Sequence, residues 1–238
     1  MLQIEHLTKS YGEKKAVDDL SLRIAPGEIC AFIGHNGAGK TTTLKACCGI
    51  LPFDAGEITV GGHSIRTDPI ACKQMLAYLP DNPDIYEFMS GIKYLNFIAD
   101  VFRVPGDVRQ ERIHRYAELF GLTGDLAQPV SAYSHGMKQK LALISALLHD
   151  PKLLLMDEPF VGLDPIASHQ LKSVMRELCD AGGAIFFSTH VLEVAEKLCD
   201  RVAIIKNGRL IVSGTMEEVR GDDSLEDVFL ELEENKNV

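Results

Sequence analysis

With 238 residues, 46% of them apolar and 24% charged, the chain is long enough for one domain of two lobes around a sizeable core. Its formal net charge of −10 argues against a nucleic-acid binder and against unaided adhesion to an anionic membrane, both of which need clustered Lys and Arg. The six cysteines form no C-x-x-C pair and fall mostly within apolar patterns, so buried free thiols of a reducing compartment are expected, not disulfides or zinc ligands.

At the start of the chain Leu2, Ile4 and His6 alternate with Gln3 and Glu5. Further on, Leu20, Leu22 and Ile24 alternate with Ser21 and Arg23 ahead of a Pro26-Gly27 turn, and both stretches read as half-buried strands. No charged n-region or long apolar core marks a leader here. Tyr11-Gly12 lies on the turn between the two strands. The Tyr11 ring is either turn packing or a platform on which a nucleobase stacks.

The apolar run Ile29 to Ile33 empties into Gly34-His35-Asn36-Gly37-Ala38-Gly39-Lys40-Thr41, and a helical stretch follows through Cys48 to a stop at Gly49. This is G-x-x-x-x-G-K-[ST] in its required context of strand, glycine-rich turn and helix. The glycines let the backbone curl until successive N–H groups point inward, and the helix adds its positive end at the same place. The result is an anion nest suited to a polyphosphate. Lys40 reaches the β- and γ-phosphates in this scheme, Thr41 takes a position on Mg²⁺, and Thr42 offers a hydroxyl on the α-phosphate side.

Glu57 to Val60 forms a short strand before Gly61-Gly62, and Met75 to Leu79 a strand-like run that breaks at Pro80-Asp81-Asn82-Pro83. From Ser90 to about Phe120 the apolar spacing turns helical, interrupted at Pro105-Gly106, as in a helical lobe inserted into an α/β core. Ser134 suits the N-cap of a helix running to His149. The buried-strand pattern Leu153 to Met156 then ends in Asp157-Glu158-Pro159. Adjacent carboxylates are costly to hold together without a cation or a proton, and MgATP supplies the reason: Asp157 for the metal, Glu158 for the attacking water. Ala184 to Phe187 repeats the pattern and empties into Ser188-Thr189-His190, where a lone histidine is ordinarily structural but beside a phosphate loop is expected to contact the γ-phosphate.

Asn207-Gly208 marks a hairpin between Arg201 to Lys206 and Arg209 to Val212. Two short helices close the chain, one capped at Thr215 with Glu218 three residues on, the other at Ser224 with Asp227. In the last, Leu225, Val228, Phe229 and Leu232 form an apolar face, with Glu231, Glu233 and Glu234 in water. The longest apolar runs, such as Leu141 to Leu148, fall far short of a membrane span, so a soluble cytoplasmic protein is expected.

In order and spacing these motifs resemble the ATP-binding subunits of ABC (ATP-binding cassette) transporters across essentially the whole chain. The resemblance rests on Gly34 to Thr41, Asp157-Glu158-Pro159, Gly162-Leu163-Asp164 and Ser188-Thr189-His190. Tyr133-Ser134-His135-Gly136-Met137 takes the place of the family's Leu-Ser-Gly-Gly-Gln signature. It implies an α/β fold: a P-loop NTPase core of RecA-like type with an N-terminal antiparallel β subdomain and an inserted α-helical lobe. One nucleotide-binding domain would span 1–238, with the lobe at about 83–150 and a helical tail at about 215–236.

Carried over by resemblance, Tyr11 stacks adenine, Glu158 is the general base, His190 senses the γ-phosphate and Asp164 couples two sites across a dimer. Lys40 completes the catalytic set. Residues Gly34, His35, Asn36, Gly37, Ala38, Gly39, Lys40, Thr41 and Thr42 grip ATP from one copy, and Ser134 and Gly136 from the other. Thr41, Asp157 and Asp81 are the metal candidates. The departures are His135 and Met137 in the signature, and Asp81 where the family usually has glutamine, which holds Mg²⁺ less directly. Together with the Tyr-Ser-x-Gly-Met-Lys-Gln-Lys stretch they are similar to the exporter branch of Ecs-type and multidrug-type ATPases. The implied protein pairs head to tail with a second cassette and powers separate transmembrane permease subunits at the inner face of the membrane, without nucleic acid. The alternative is a regulatory cassette that dimerises on ATP with little or no hydrolysis.

Overall fold

The computed structural model describes residues 1–234, and side chains as far as residue 232. The exposure expected of Glu233 and Glu234, and the last two residues of the tail expected to run to about 236, lie outside the described residues. In chain order the elements are β1 (Leu2–Tyr11), β2 (Lys14–Ile24), β3 (Ile29–Ile33), α1 (Lys40–Cys47), β4 (Ala55–Val60), β5 (His63–Ser64), α2 (Pro69–Met75) and β6 (Leu76–Leu79). There follow α3 (Gly91–Val101), α4 (Gly106–Leu119), a 3-10 turn at Val130–Ala132, α5 (His135–Leu147), β7 (Leu153–Asp157), α6 (Pro165–Asp180) and β8 (Ala184–Thr189). The chain continues through α7 (Leu192–Leu198), β9 (Arg201–Lys206), β10 (Arg209–Thr215), α8 (Met216–Arg220) and α9 (Leu225–Glu234).

The strands form two sheets. An antiparallel sheet has the order β2-β1-β4-β5, and a larger one the order β10-β9-β3-β8-β7-β6. In the larger sheet every pairing is parallel except β9 with β10. All five residues of β3 are buried, as expected of a central parallel strand covered on both faces. Its two faces serve different cores. Cys30 and Phe32 join the cluster shared with the antiparallel sheet and α1, where Phe32 and Phe186 meet at a ring-centroid distance of 5.1 Å. Ile29, Ala31 and Ile33 pack with Leu141 of α5 and Leu171 and Met175 of α6. Burying each such side chain is worth about 1.5–3 kcal/mol, so β3 is anchored from both sides.

That anchoring decides where the site lies. Parallel register levels Ile33 with Thr189 and Asp157 with Ser188, so three carboxyl ends open at one edge. Functional side chains of α/β sheets gather at such an edge.

Several expectations are met locally. Asn207 and Gly208 both have positive φ, 51° and 82°, as a tight two-residue hairpin demands. Ser134 caps α5 by accepting from Met137 N, and Thr215 with Glu218 forms a reciprocal capping box. Other points differ. The pairing of β1 with β2 slips between Ile4 and Leu7, so Leu7 is buried and His6, expected on the inner face, is exposed with a φ of 52°. A bulge inserts a residue and reverses the faces beyond it. His6 Nδ1 then meets Asp19 Oδ1 at 2.7 Å. Met75 closes α2, and strand β6 starts only at Leu76. Helices α2, α6 and α7 have no counterpart among the sequence expectations; α6 is nonetheless plainly started, with Asp164 accepting from Ala167 N at 2.8 Å and Pro165 in the first turn.

Candidate functional site

The turn between β3 and α1 is shaped by contacts from distant parts of the chain. A side chain at Gly34 would place its Cβ 2.4 Å from Ile205 O, and one at Gly39 would lie 2.5 Å from Ala16 O. Gly37 and Gly39 also adopt φ of 82° and 115°, which L side chains avoid. The loop is tied down by Gly208 N donating to Ala38 O at 2.9 Å, while Asp18 N donates to Gly208 O at 2.8 Å. The curled backbone is therefore held by β2 and by the β9–β10 turn.

Lys40 is buried within this loop. Its Nζ donates to Gly34 O at 2.6 Å and His35 O at 3.3 Å, and stands 4.0 Å from Glu158 Oε1. Burial pulls its pKa below the ordinary lysine value, against the opposing pull of Glu158 and Asp157. Thr41 donates through Oγ1 to Asp157 Oδ2 at 2.6 Å, which joins the first turn of α1 to the end of β7.

Asp157 is almost wholly buried, and its other oxygen accepts from the Ser188 hydroxyl. Ser188 Oγ also accepts from Glu158 N at 3.0 Å. Glu158 takes a left-handed φ of 48°, unusual for a residue with a Cβ. Its Oε2 lies 2.9 Å from His190 Nδ1. The two adjacent acids thus point to different partners: Asp157 to hydroxyls, Glu158 to Lys40 and His190.

A cleft of about 320 Å³ collects Tyr11, Asn36, Gly37, Gly39, Lys40, Thr41, Thr42, Asp81, Asp157 and Glu158. Tyr11 is half-exposed at the mouth, with the Lys9 ammonium 5.3 Å from its ring centroid, so it is not packed into the core. Lys14 and Ala16 also line the cleft. Neither stands out in the sequence, and Ser188 is named there only as part of Ser188-Thr189-His190, because their places depend on strand pairing: Tyr11 with Lys14, and Asp157 with Ser188.

Ser134, Gly136 and Asp164 are not brought into that cleft. Ser134 is exposed at the start of α5 and Gly136 is partly so. A Cβ on Gly136 would lie 2.8 Å from Gly162 O, and one on Gly162 2.8 Å from His135 Cδ2, so the start of α5 packs on the loop after β7. Exposed Asp164 caps α6 and meets Lys140 Nζ at 2.6 Å. That contact, and the Ala167 amide, hold its carboxyl below the usual aspartate range.

The donor set fits a hard divalent cation. Thr41 and Asp157 offer a hydroxyl and a carboxylate side by side, with Asp81 in the same cleft. Among the described residues there is no group of three or more His, Cys, Asp or Glu able to cage a metal alone. The Thr41 hydroxyl and the Asp157 carboxylate are oxygens of the kind through which Mg²⁺ binds beside substrate phosphates and water.

The profile of the ABC transporter family matches residues 17–161. EcsA of Bacillus subtilis, an ABC-type transporter ATP-binding protein, is 32% identical over 237 residues, covering 98% of this chain and 96% of EcsA. YbhF of Escherichia coli, a probable multidrug ABC transporter ATP-binding protein, is 30% identical over 98% of this chain but only 41% of its own length. Other relatives at 34–39% identity are matched over 61–72% of their length. A solved ATP-binding subunit of an ABC transporter superposes with a TM-score of 0.94 at 33% identity, covering 98% of this chain and 99% of that one.

Proposed function

The chain belongs to the ABC transporter family of ATP-binding proteins and has its P-loop NTPase fold, and from that membership we propose that it hydrolyses MgATP in a composite site closed by a second cassette. Residues 1–238 would act as one nucleotide-binding domain, with the helical lobe at about 83–150 and the helical tail at about 215–236. The observation that carries this reading is the separation of two half-sites. The cleft holds the phosphate loop with Asp157 and Glu158, while Ser134 and Gly136 lie outside it, at the solvent-facing start of α5. Two copies set head to tail complete each other.

In this reading Gly34 to Thr42 bind the triphosphate through the backbone N–H groups of the loop, and Lys40 turns from Gly34 O to the β- and γ-phosphates. Tyr11 stacks the adenine. Thr41 and Asp157, with Asp81 nearby, would hold Mg²⁺, which would supply charge neutralisation on the phosphates. Glu158 accepts a proton from water as its oxygen attacks the γ-phosphorus in line, and the bond from that phosphorus to the bridging oxygen breaks to leave ADP and phosphate. His190, 2.9 Å from Glu158, holds the carboxylate and reads the γ-phosphate. Ser134 and Gly136 of the partner copy contact the same phosphate, so binding favours the closed dimer and loss of phosphate reopens it. Asp164 couples the two sites.

No helix among the described residues is long and apolar enough to cross a membrane. In the proposed reading the motion passes to separate permease subunits at the inner face of the membrane, and the likeness to YbhF, a probable multidrug ABC transporter ATP-binding protein, supports an export role. An aromatic surface beyond the Asp81 loop suits the docking: Phe88 is 81% exposed, and Tyr86 packs against both Phe88 and Phe97 with centroid distances of 5.7 and 5.8 Å.

The test is MgATP hydrolysis by the purified chain across a range of protein concentrations. Turnover rising more than linearly with protein, and absent in Glu158→Gln although that variant binds ATP and accumulates as a dimer, supports the composite ATPase. Clear ATP-driven dimerisation without turnover would favour the regulatory cassette instead.

A further inference from the structure

Ser188 is wholly buried and does not line the cleft, so it cannot touch a nucleotide there. Its single hydroxyl nevertheless meets both acids. It donates its hydrogen to Asp157 Oδ1 and accepts the backbone N–H of Glu158. These two bonds use the hydroxyl's one donor and one of its lone pairs.

Each bond has a separate consequence. Asp157 Oδ2 takes the Thr41 hydroxyl, so with Oδ1 on Ser188 the carboxylate is pinned from both sides and cannot rotate about its terminal torsion. Glu158 follows the last residue of β7, takes a φ of 48°, and donates its N–H to Ser188 Oγ on β8. Ser188 Oγ is the acceptor that holds this turned backbone, and the turn carries the Glu158 carboxylate to Lys40 and His190. An aliphatic residue could fill the same strand position. It would leave a buried carboxylate oxygen and an N–H without these partners.

We propose that Ser188 is the positioning residue of the site, orienting the Asp157 carboxylate toward the metal and holding Glu158 in the turned conformation that aims its carboxylate at the reacting water. The proposal rests on the MgATP-hydrolysing reading, and its test keeps the two apart.

Ser188→Ala and Ser188→Thr are compared with the wild type in two measurements: steady-state MgATP hydrolysis, and calorimetric titration of ATP with Mg²⁺ and with EDTA. A residue that orients a metal ligand changes metal affinity or activity by about 10–100-fold. In Ser188→Ala kcat is expected to fall by that amount, and the gain in ATP affinity on adding Mg²⁺ to shrink about tenfold, with KM for MgATP rising in step. Affinity for ATP in EDTA stays at the wild-type value, and Ser188→Thr recovers both losses. An unchanged kcat and an unchanged Mg²⁺ gain in Ser188→Ala overturn the proposal. An equal fall in the EDTA affinity also overturns it, because that is general damage to the fold. A wild-type chain that binds MgATP without turnover removes the hydrolysis reading, and the Mg²⁺ gain then decides the role of Ser188 alone.

Discussion

Lys40 Nζ and Glu158 Oε1 stand 4.0 Å apart while the same ammonium donates to the Gly34 and His35 carbonyls. Phosphate oxygens arriving in the loop offer the ammonium stronger, charged acceptors than these carbonyls. In the proposed reading the lysine is thus stored beside the place where it would be used.

Lys40→Ala removes the only lysine that donates into the loop's own carbonyls among the bonds described. A hydrogen bond to a charged group is worth about 1.5–3 kcal/mol, so ATP affinity should fall by roughly ten- to a hundredfold or more. Equilibrium titration checks this, and tight MgATP binding by the variant would contradict the phosphate-loop assignment. A pH effect accompanies it. Because the folded chain holds the Lys40 proton less tightly than the unfolded one, stability of the nucleotide-free protein rises with pH up to the ordinary lysine value of 10.5. Melting curves of Lys40→Ala should lack that component of the rise.

Two glycines of the loop should fail for different reasons. At Gly34 the backbone is ordinary but a methyl group would strike Ile205 O at 2.4 Å, an overpacking of about 1–3 kcal/mol. At Gly37 nothing lies within 4 Å, but the φ of 82° costs a side chain about 1–2 kcal/mol. Denaturant unfolding should therefore rank Gly34→Ala as at least as harmful as Gly37→Ala. In addition, only Gly34→Ala should shift the β9 backbone, seen as faster amide exchange around Ile205.

Asp164 carries a local structural duty beside any role between subunits. Loss of an N-cap costs about 1 kcal/mol, and the exposed Lys140 pair adds little, so Asp164→Ala should lower stability by about that amount. Its carboxyl pKa is lowered in the folded state, so the stability it gives is complete above the ordinary aspartate value and is lost as pH falls through the lowered one. Asp164→Asn keeps a capping oxygen and should flatten this acid limb while leaving neutral stability nearly intact. A pH series of unfolding curves reads both.

Much of this was legible from residues alone. Strand, glycine turn and helix around Lys40 follow from local spacing, as do the buried strands that end at Asp157 and Thr189 and the caps at Ser134 and Thr215. What escaped depends on partners far away in the chain. His6 reads as an inner-face residue because alternation cannot reveal a bulge set by pairing with β2. Ser188 reads as the polar end of a strand, since its duty arises from register with a residue 31 positions earlier. The positive φ of Glu158 has no local signal either, because it is sustained by that same serine.

The bond from Gly208 N to Ala38 O has a consequence along the chain. The turn that fastens the phosphate loop is made some 170 residues after it, and β8 and β9, the strands on either side of β3, also follow it in the chain. A chain that stops short of residue 208 has the glycine-rich turn and Lys40, yet lacks the clasp that holds the loop in shape. The shape of the loop is therefore completed by a segment that the local spacing around Lys40 does not contain.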